Sequence, residues 1–330
     1  MKRNILVTGG AGYVGSIAVP KLLAAGHNVK VLDLYLYGQN VLDQVKDAPG
    51  LIQVKGDIRD EALVAHEIQG ADTVLHLACI SNDPSYELDP ELGKSINYGA
   101  FLTLVKAASN AGIKRFIYAS SSSVYGVKNE PEVTEELPLE PLTDYSKYKA
   151  LCEEVLLREA PGRFTATVVR PSTVCGYSPR LRLDLTVNIL TNHAVNKGAI
   201  TVFGGDQKRP NIHIEDMADL YVLLMDLPDE KIRQKVWNAG FQNYTVSQIA
   251  SMVKEVLGKD LPITKVPSND PRSYHVSSKK IAADIGFVAR RTVQDAISDL
   301  VAAFEAGLVP NPLDGIRYYN IKTMQAAGLK

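Results

Sequence analysis

The sequence predicts an α/β fold: a doubly wound parallel sheet in the first half, then a smaller mixed α/β lobe. Three observations carry that reading. Over the first 170 residues, short runs that are apolar throughout alternate with segments of helical spacing, as strands buried on both faces and joined by helices do. A glycine-rich turn separates the first such run from the first helical segment. The second run ends on an acid, Asp33.

In order, residues 4–8 are a short apolar run stopped by Gly9-Gly10, and 17–25 carry helical spacing that ends at Gly26. Pro20 lies inside that helix, and its missing N–H predicts a slight kink. Residues 28–32, 51–55, 71–78 and 114–120 read as further strands, with helices over 60–67 and 92–111 between them. Another helix opens at Tyr145, and 165–169 is the next strand-like run. Beyond it, 185–196, 214–227, 246–257, 278–285 and 293–303 read as helices and 200–203 as a short strand, parted by turn clusters such as 267–271. The expected domains are therefore 1–170, the sheet with the Tyr145 helix, and 171–330, mainly the smaller lobe with some segments returning to the first domain.

Composition excludes several function classes. The 330 residues are 45% hydrophobic and 22% charged, which rules out a disordered, collagenous or coiled-coil chain. Thirty-six basic residues oppose 37 acidic ones, and a nucleic-acid binder carries a basic excess, so no nucleic-acid partner is expected. No apolar run reaches bilayer length, and 5–7 is too short for a signal peptide, so we expect no membrane partner and a cytoplasmic protein. Cys79, Cys152 and Cys175 form no CxxC and read as buried small residues. The six His show no HxH or HExxH spacing, so no metal site is expected; His76, His213 and His275 read as structural.

The chemistry begins at Thr8-Gly9-Gly10-Ala11-Gly12-Tyr13-Val14-Gly15, which reads two ways: Gly10, Gly12 and Gly15 as GxGxxG, or Gly9, Gly12 and Gly15 as GxxGxxG. Either spacing lets the backbone turn sharply, approach a pyrophosphate and open a helix whose unpaired N–H groups face the phosphates. Asp33, 18 residues past Gly15, can accept both hydroxyls of an adenosine ribose and would repel a 2′-phosphate, which favours NAD over NADP. Gly56-Asp57-Ile58 ends the third strand, where Asp57 can reach the adenine edge or merely cap the turn. Strand, glycines, helix, strand and acid in that order make a Rossmann sheet.

Ser120–Ser123 with Val124-Tyr125-Gly126 stands at the end of a buried parallel strand, the edge where open sheets present ligands. Tyr145 and Lys149, four apart, share one face of a helix. A phenol is a poor base at neutral pH, but a neighbouring ammonium and a cationic nicotinamide would both favour phenolate. With a serine hydroxyl to hold the substrate oxygen, these are the parts that remove a hydroxyl proton while hydride leaves the same carbon.

These segments, with His76-Leu-Ala and Tyr-Ser-Lys-Tyr-Lys149, together resemble the extended short-chain dehydrogenase/reductase family, and within it the NAD-dependent nucleotide-sugar epimerases and dehydratases. Arg209-Pro-Asn-Ile-His-Ile-Glu-Asp216 is similar to that family's Arg-x-x-Ile-His-Val-x-Asp segment, so the likeness spans nearly the whole chain. The resemblance implies that Tyr145 is the base that becomes the acid, that Lys149 holds the nicotinamide ribose, and that Ser121 binds the reacting oxygen, with Ser122 beside it on the substrate. It sets Gly9, Gly12, Tyr13, Val14, Gly15, Asp33, Leu34, Asp57, Ile58, Leu77, Ala78, Ile80, Asn97 and Pro171 against the cofactor. Arg209, Asn188 and Arg272 fall where the family grips the diphosphate, Val202 and Phe203 where the base-binding strand runs, and Ser81 and Asn82 where they could face the sugar. Thr173 stands where many relatives have Asn. The helices over 92–111 and 145–157 resemble those of the family's dimer interface, implying a homodimer. Arg180-Leu-Arg182-Leu-Asp184 departs from the pattern: its arginines either add a second phosphate clamp, which puts Arg182 on the substrate, or meet Asp184 across a turn.

The implied partner is a nucleotide-diphosphate sugar. The family's 4,6-dehydratases carry an Asp-Glu pair directly after the catalytic hydroxyl; here Ser122 and Ser123 stand there, and neutral hydroxyls cannot supply that acid and base. We therefore expect a 4-epimerase that oxidises C4 transiently and returns the hydride. The alternatives are a one-way C4 dehydrogenase or 4-ketoreductase of a GDP-, CDP- or dTDP-sugar, and a non-catalytic nucleotide-sensing protein of the same fold, which would have no use for the Tyr145/Lys149 pair.

Overall fold

The computed structural model describes residues 2–268, 273 and 275–329. Up to residue 171 the strands are β1 (Asn4–Thr8), β2 (Asn28–Asp33), β3 (Leu51–Lys55), β4 (Thr73–His76), β5 (Arg115–Ala119) and β6 (Thr165–Pro171). Then come β7 (Thr173–Cys175), β8 (Ile200–Phe203), β9 (Lys208–His213), β10 (Lys235–Ala239), β11 (Gln242–Thr245) and β12 (Ile263–Val266). Seven of them form an all-parallel sheet in the order β10-β6-β5-β4-β1-β2-β3. Among the described residues no helix is long and apolar enough to cross a membrane.

The apolar runs are continuous because both sheet faces are covered. Leu6, Val74, Phe116 and Val168 pack on one side against Phe101 and Leu104 of the helix Ala100–Asn110 and Leu156 of the helix Asp144–Glu159. Their neighbours Val7, Leu75, Ile117 and Val169 pack on the other side with Val19 of the helix Gly15–Ala24 and Met217 and Leu220 of the helix Ile214–Asp226. That alternation is the two-residue period of a strand. The helix Ile214–Asp226 and strand β10 both come from beyond residue 170 yet complete the sheet layer.

The smaller lobe holds the mixed sheet β11-β9-β7, where β9 runs antiparallel to β11 and parallel to β7, and the parallel pair β12-β8. Its own core joins the helices Thr186–Lys197, Val246–Leu257 and Val293–Glu305.

Three features differ from the sequence expectation. The helix expected over 92–111 is divided into Pro90–Lys94, a π-helical turn over Ser95–Gly99, and Ala100–Asn110. A π turn inserts one residue without breaking the apolar spacing on either side, so periodicity does not reveal it. Strands β7, β11 and β12 have only three or four residues and β9 is mostly polar, Lys-Arg-Pro-Asn-Ile-His, so no apolar run announced them; β10 was not expected either. The helix Asn320–Ala327 also has no counterpart in the sequence expectation. The helix Gly15–Ala24 runs through Pro20, and the Ser16 carbonyl that Pro20 leaves without its usual donor is approached by Gln44 Nε2 at 3.4 Å.

Candidate active site

The chain passes from β1 outward to β2 and β3, then returns to place β4 on the other side of β1, so the strand order reverses between β1 and β4. A crevice opens there, beyond the carboxyl ends of the strands. It is a cleft of about 460 Å³ lined by the glycine turn, the ends of β2 through β6, and residues of the smaller lobe. Gly9 is required on two counts: its φ is +75°, and a Cβ on it would stand 2.5 Å from the Ala78 amide nitrogen. Gly15 starts the first helix so close to the turn that a Cβ would meet the Gly10 carbonyl at 2.5 Å. Tyr13 and Val14 line the cleft between them.

At the end of β2, one Asp33 oxygen accepts the Ala11 N–H at 3.0 Å and the other the Tyr35 N–H at 2.7 Å. Burial raises the Asp33 pKa, and those two backbone N–H groups pull against it. They aim the carboxylate across the glycine turn, where a ribose hydroxyl pair can meet its remaining lone pairs. Leu34 lines the cleft beside it. Asp57 and Ile58 line the end of β3, where Asp57 is gripped by the Arg59 guanidinium at 2.6 to 3.1 Å. Burial alone would raise the Asp57 pKa, but Arg59 holds it below its ordinary value. Leu77, Ala78 and Ile80 line the cleft after β4, and Pro171 after β6. Asn97 does not line it; its amide accepts from the Ile80 N–H at 2.8 Å and donates to the Ile80 carbonyl at 2.9 Å. The π turn aims that amide and so fixes the cleft wall through Ile80.

Ser121, Ser122, Tyr145 and Lys149 come together on this cleft from β5 and the helix Asp144–Glu159. Thr143 caps that helix in a reciprocal pair with Ser146, which fixes the turn that carries Tyr145. Ser121 Oγ accepts from the Ser123 N–H at 3.1 Å and from Ser123 Oγ at 2.9 Å. Lys149 is buried and donates to the Ala119 carbonyl at 2.7 Å, its nitrogen 5.9 Å from the Tyr145 ring centre. The Tyr145 pKa stands well above its ordinary value, because burial dominates and Cys79 and Asp83 add to it; Arg182 and a hydrogen bond with Ser121 oppose them. The expected depression of the phenol pKa is therefore absent from the protein alone.

Ser81, Asn82, Thr173, Arg182 and Arg209, expected to meet the substrate, also line the cleft. Asn82 holds φ +84°, ψ 152°, a backbone conformation costly for any residue with a side chain, and its amide oxygen caps the Ser85 N–H at 3.0 Å. Arg182 donates to Asp184 at 2.9 Å and to Ser81 Oγ at 3.2 Å. Burial would depress its pKa, but Asp184 holds it above its ordinary value. Arg209 also lines a second cleft of about 220 Å³, shared with Phe203, His193 and Gln207. The structure leaves two other expected substrate contacts off these walls. Val202 is fully buried in the lobe core, because alternate residues of β8 face inward while Phe203 faces out. Asn188 is fully buried and bonds Gly176, Tyr13 Oη and the Arg182 carbonyl, so it braces the loop instead of meeting the cleft. Arg272 lies outside the described residues.

Sequence reasoning missed Tyr37, Cys79, Asp83, Asn320 and Met324. Of these Tyr37, Cys79, Asp83 and Met324 line the cleft, while Asn320 bonds Ser81. No spacing rule singles out a tyrosine in a loop or a helix at the chain's end. Cys79 is half-buried at the cleft, whereas the sequence put all three cysteines in the interior; Cys152 and Cys175 are buried. His76 is buried and paired with Thr8 Oγ1 at 2.6 Å, and burial lowers its pKa to about 3, so it is a neutral structural group.

The model of the NAD dependent epimerase/dehydratase family matches residues 5–240. The chain is similar to the UDP-glucose 4-epimerase of Lactobacillus helveticus, at 28% identity over 91% of this chain and 95% of that one. Among solved structures it resembles a UDP-glucose 4-epimerase of Thermotoga maritima with UDP-glucose, at a TM-score of 0.84 and 25% identity over 92% of this chain and 99% of that one. It resembles equally a dTDP-glucose 4,6-dehydratase of Streptomyces venezuelae solved with NAD bound, at a TM-score of 0.84 and 25% identity over 94% and 100%.

Proposed function

Because this chain belongs to the NAD dependent epimerase/dehydratase family, we propose that it is a nucleotide-sugar 4-epimerase. It is an NAD-dependent enzyme acting on nucleotide sugars, and the proposal concerns which reaction it performs.

One observation supports epimerisation over dehydration: among the described residues the cleft offers no spare acid–base pair beside the serine. Ser122 and Ser123 follow Ser121, and Ser123 Oγ is spent on Ser121. Among the described residues four carboxylates line the cleft, and each has a partner. Asp33 holds two backbone N–H groups, Asp57 holds Arg59, Asp83 takes the Thr143 hydroxyl, and Asp184 holds Arg182.

Bound NAD supplies a hydride acceptor that can give the hydride back, and the positive charge of its oxidised ring favours the phenolate. Ser121 holds the sugar O4, and Tyr145 removes its proton and later restores it from its own hydroxyl. Lys149, fixed by Ala119, holds the nicotinamide ribose and keeps positive charge near the phenol. Arg209, placed between the two clefts, clamps the diphosphate while the 4-keto sugar turns over to present its other face.

A turnover assay in heavy water tests this. An epimerase converts many equivalents of a nucleotide hexose with catalytic bound NAD, and its product carries no solvent deuterium at C4 or C5. Deuterium at C5 with loss of water would establish a dehydratase. One equivalent of NADH that accumulates until an oxidant is added would establish a dehydrogenase.

A further inference from the structure

The segment Arg180-Leu-Arg182-Leu-Asp184 belongs to the smaller lobe but lies over the glycine turn. Tyr13 Oη donates to the Gly176 carbonyl at 2.6 Å, Ser16 Oγ to Ser178 Oγ at 3.2 Å, and Asn188 Nδ2 to Tyr13 Oη at 3.0 Å. These bonds pin the loop to the N-terminal end of the helix Gly15–Ala24, and both guanidinium groups line the cleft.

The two arginines are not equivalent. Arg182 has a carboxylate partner, Asp184. Arg180 is 4% exposed and lies flat on the Tyr37 ring, 3.5 Å from its centre. Its hydrogen bonds go to the Asn320 side-chain oxygen and, weakly at 3.4 Å, to the Leu181 carbonyl, while its Nε is buried without a partner. A guanidinium has five N–H donors, and one buried without an ion-pair partner is costly. Burial lowers the Arg180 pKa to about 10; Tyr37 and Asp184 oppose that shift, while the like charge of Arg182 adds to it. Asp33 and Asp184 act on this guanidinium only through space, and among the described residues no carboxylate hydrogen-bonds it.

Tyr37 lies four residues past Asp33, and Arg180 acts on the Asp33 carboxylate through space, so the stack stands on the Asp33 side of the cleft. We propose that Arg180, seated on Tyr37 and held by Asn320, closes over the diphosphate of the bound dinucleotide opposite the glycine turn and locks the cofactor into the protein. The diphosphate then lies between the helix N-terminus below and a guanidinium above. Cofactor exit requires the Arg180–Tyr37 stack and the Arg180–Asn320 bond to open together, which joins the two lobes across the bound dinucleotide. A retained cofactor suits a reaction that returns its hydride within one turnover. The inference rests on the cleft being a dinucleotide site, whichever sugar is turned over.

The holoenzyme tests it without any sugar. NAD dissociation is followed by exchange with labelled NAD, and UDP binding is titrated calorimetrically on the same preparations. Arg180→Gln should speed NAD release about tenfold or more, the loss of one charge-assisted hydrogen-bonding group, and leave UDP affinity within about twofold. Should that variant fail to fold, Tyr37→Ala keeps the charge and removes its platform, and it should also speed release, whereas Tyr37→Phe should not. An unchanged NAD release rate in Arg180→Gln or Tyr37→Ala overturns the proposal. So does a large loss of UDP affinity with NAD release unchanged, which would give Arg180 to the nucleotide-sugar diphosphate. A wild-type protein that binds NAD but no nucleotide sugar would instead sink the epimerase reading and leave the retention measurement intact.

Discussion

At the scale of single residues the site turns on a phenol that its surroundings keep protonated. Tyr145 is 9% exposed, and burial raises its pKa well above the ordinary value. The sign for catalysis follows. In the proposed mechanism the group must start as phenolate to accept the sugar proton, so kcat/KM should rise with pH until Tyr145 is ionised and fall as pH drops below that point. Tyr145→Phe should remove this limb of the profile and lower turnover by about a hundredfold or more, while NAD stays bound. A Phe variant that keeps both the wild-type rate and the wild-type pH limb would take Tyr145 out of the mechanism. Lys149 bonds Ala119 and lies over the Tyr118 ring at 5.0 Å, so what it contributes is a fixed positive charge near the phenol.

At the scale of elements, the serine run after β5 and the helix that carries Tyr145 and Lys149 are bolted together from behind. Arg170 of β6 meets Glu153 of the helix Asp144–Glu159 through three hydrogen bonds of 2.6 to 3.1 Å, and both residues are buried. Glu153 also takes the Ser120 hydroxyl, and Arg170 reaches Tyr125 Oη at 2.7 Å. Glu153 lies one helical turn beyond Lys149, so the pair sets the helix against the strand end that carries Ser121. Glu153→Ala leaves a buried guanidinium unpaired and should destabilise the protein by about 3–5 kcal/mol, read from urea denaturation. Pairing it with Arg170→Met should recover much of that loss; a single variant as stable as the parent would mean that the pair is not closed in solution. None of this network was legible in the sequence, because its members are far apart in the chain and each is unremarkable in composition. What was legible was local: the glycine turn, the acid ending β2, and two reactive residues four apart on one helix. The π turn at Ser95–Gly99, the polar strand β9 and the long-range brace made by Asn188 depend on tertiary packing, which carries no periodic signal.

At the scale of the whole molecule, the helix that carries Tyr145 and Lys149 and the helix beside it leave apolar side chains on the outside. Leu102 and Leu151 are each 38% exposed, one on the helix Ala100–Asn110 and one on Asp144–Glu159. Leu88 and Leu142, at 41% and 49%, lie in the connections leading into this region. Tyr98 of the π turn before the helix Ala100–Asn110 packs on Tyr148 of the helix Asp144–Glu159, their ring centres 5.4 Å apart. We propose that a second copy of the chain covers this face, so that the helices of two protomers pack side by side. A stable interface buries about 1,200–2,000 Å² in total, which two such helices from each copy can provide. The arrangement would also stiffen the helix that holds Tyr145 and Lys149, since its outer face would no longer meet water. Light scattering at micromolar concentration should give twice the 36.0 kDa mass of the chain. Leu102→Glu with Leu151→Glu should return it to a monomer with the fold retained, because both side chains lie outside the core and charges buried across such an interface are costly. A wild-type mass equal to one chain, or a dimer indifferent to both substitutions, would place the assembly surface elsewhere.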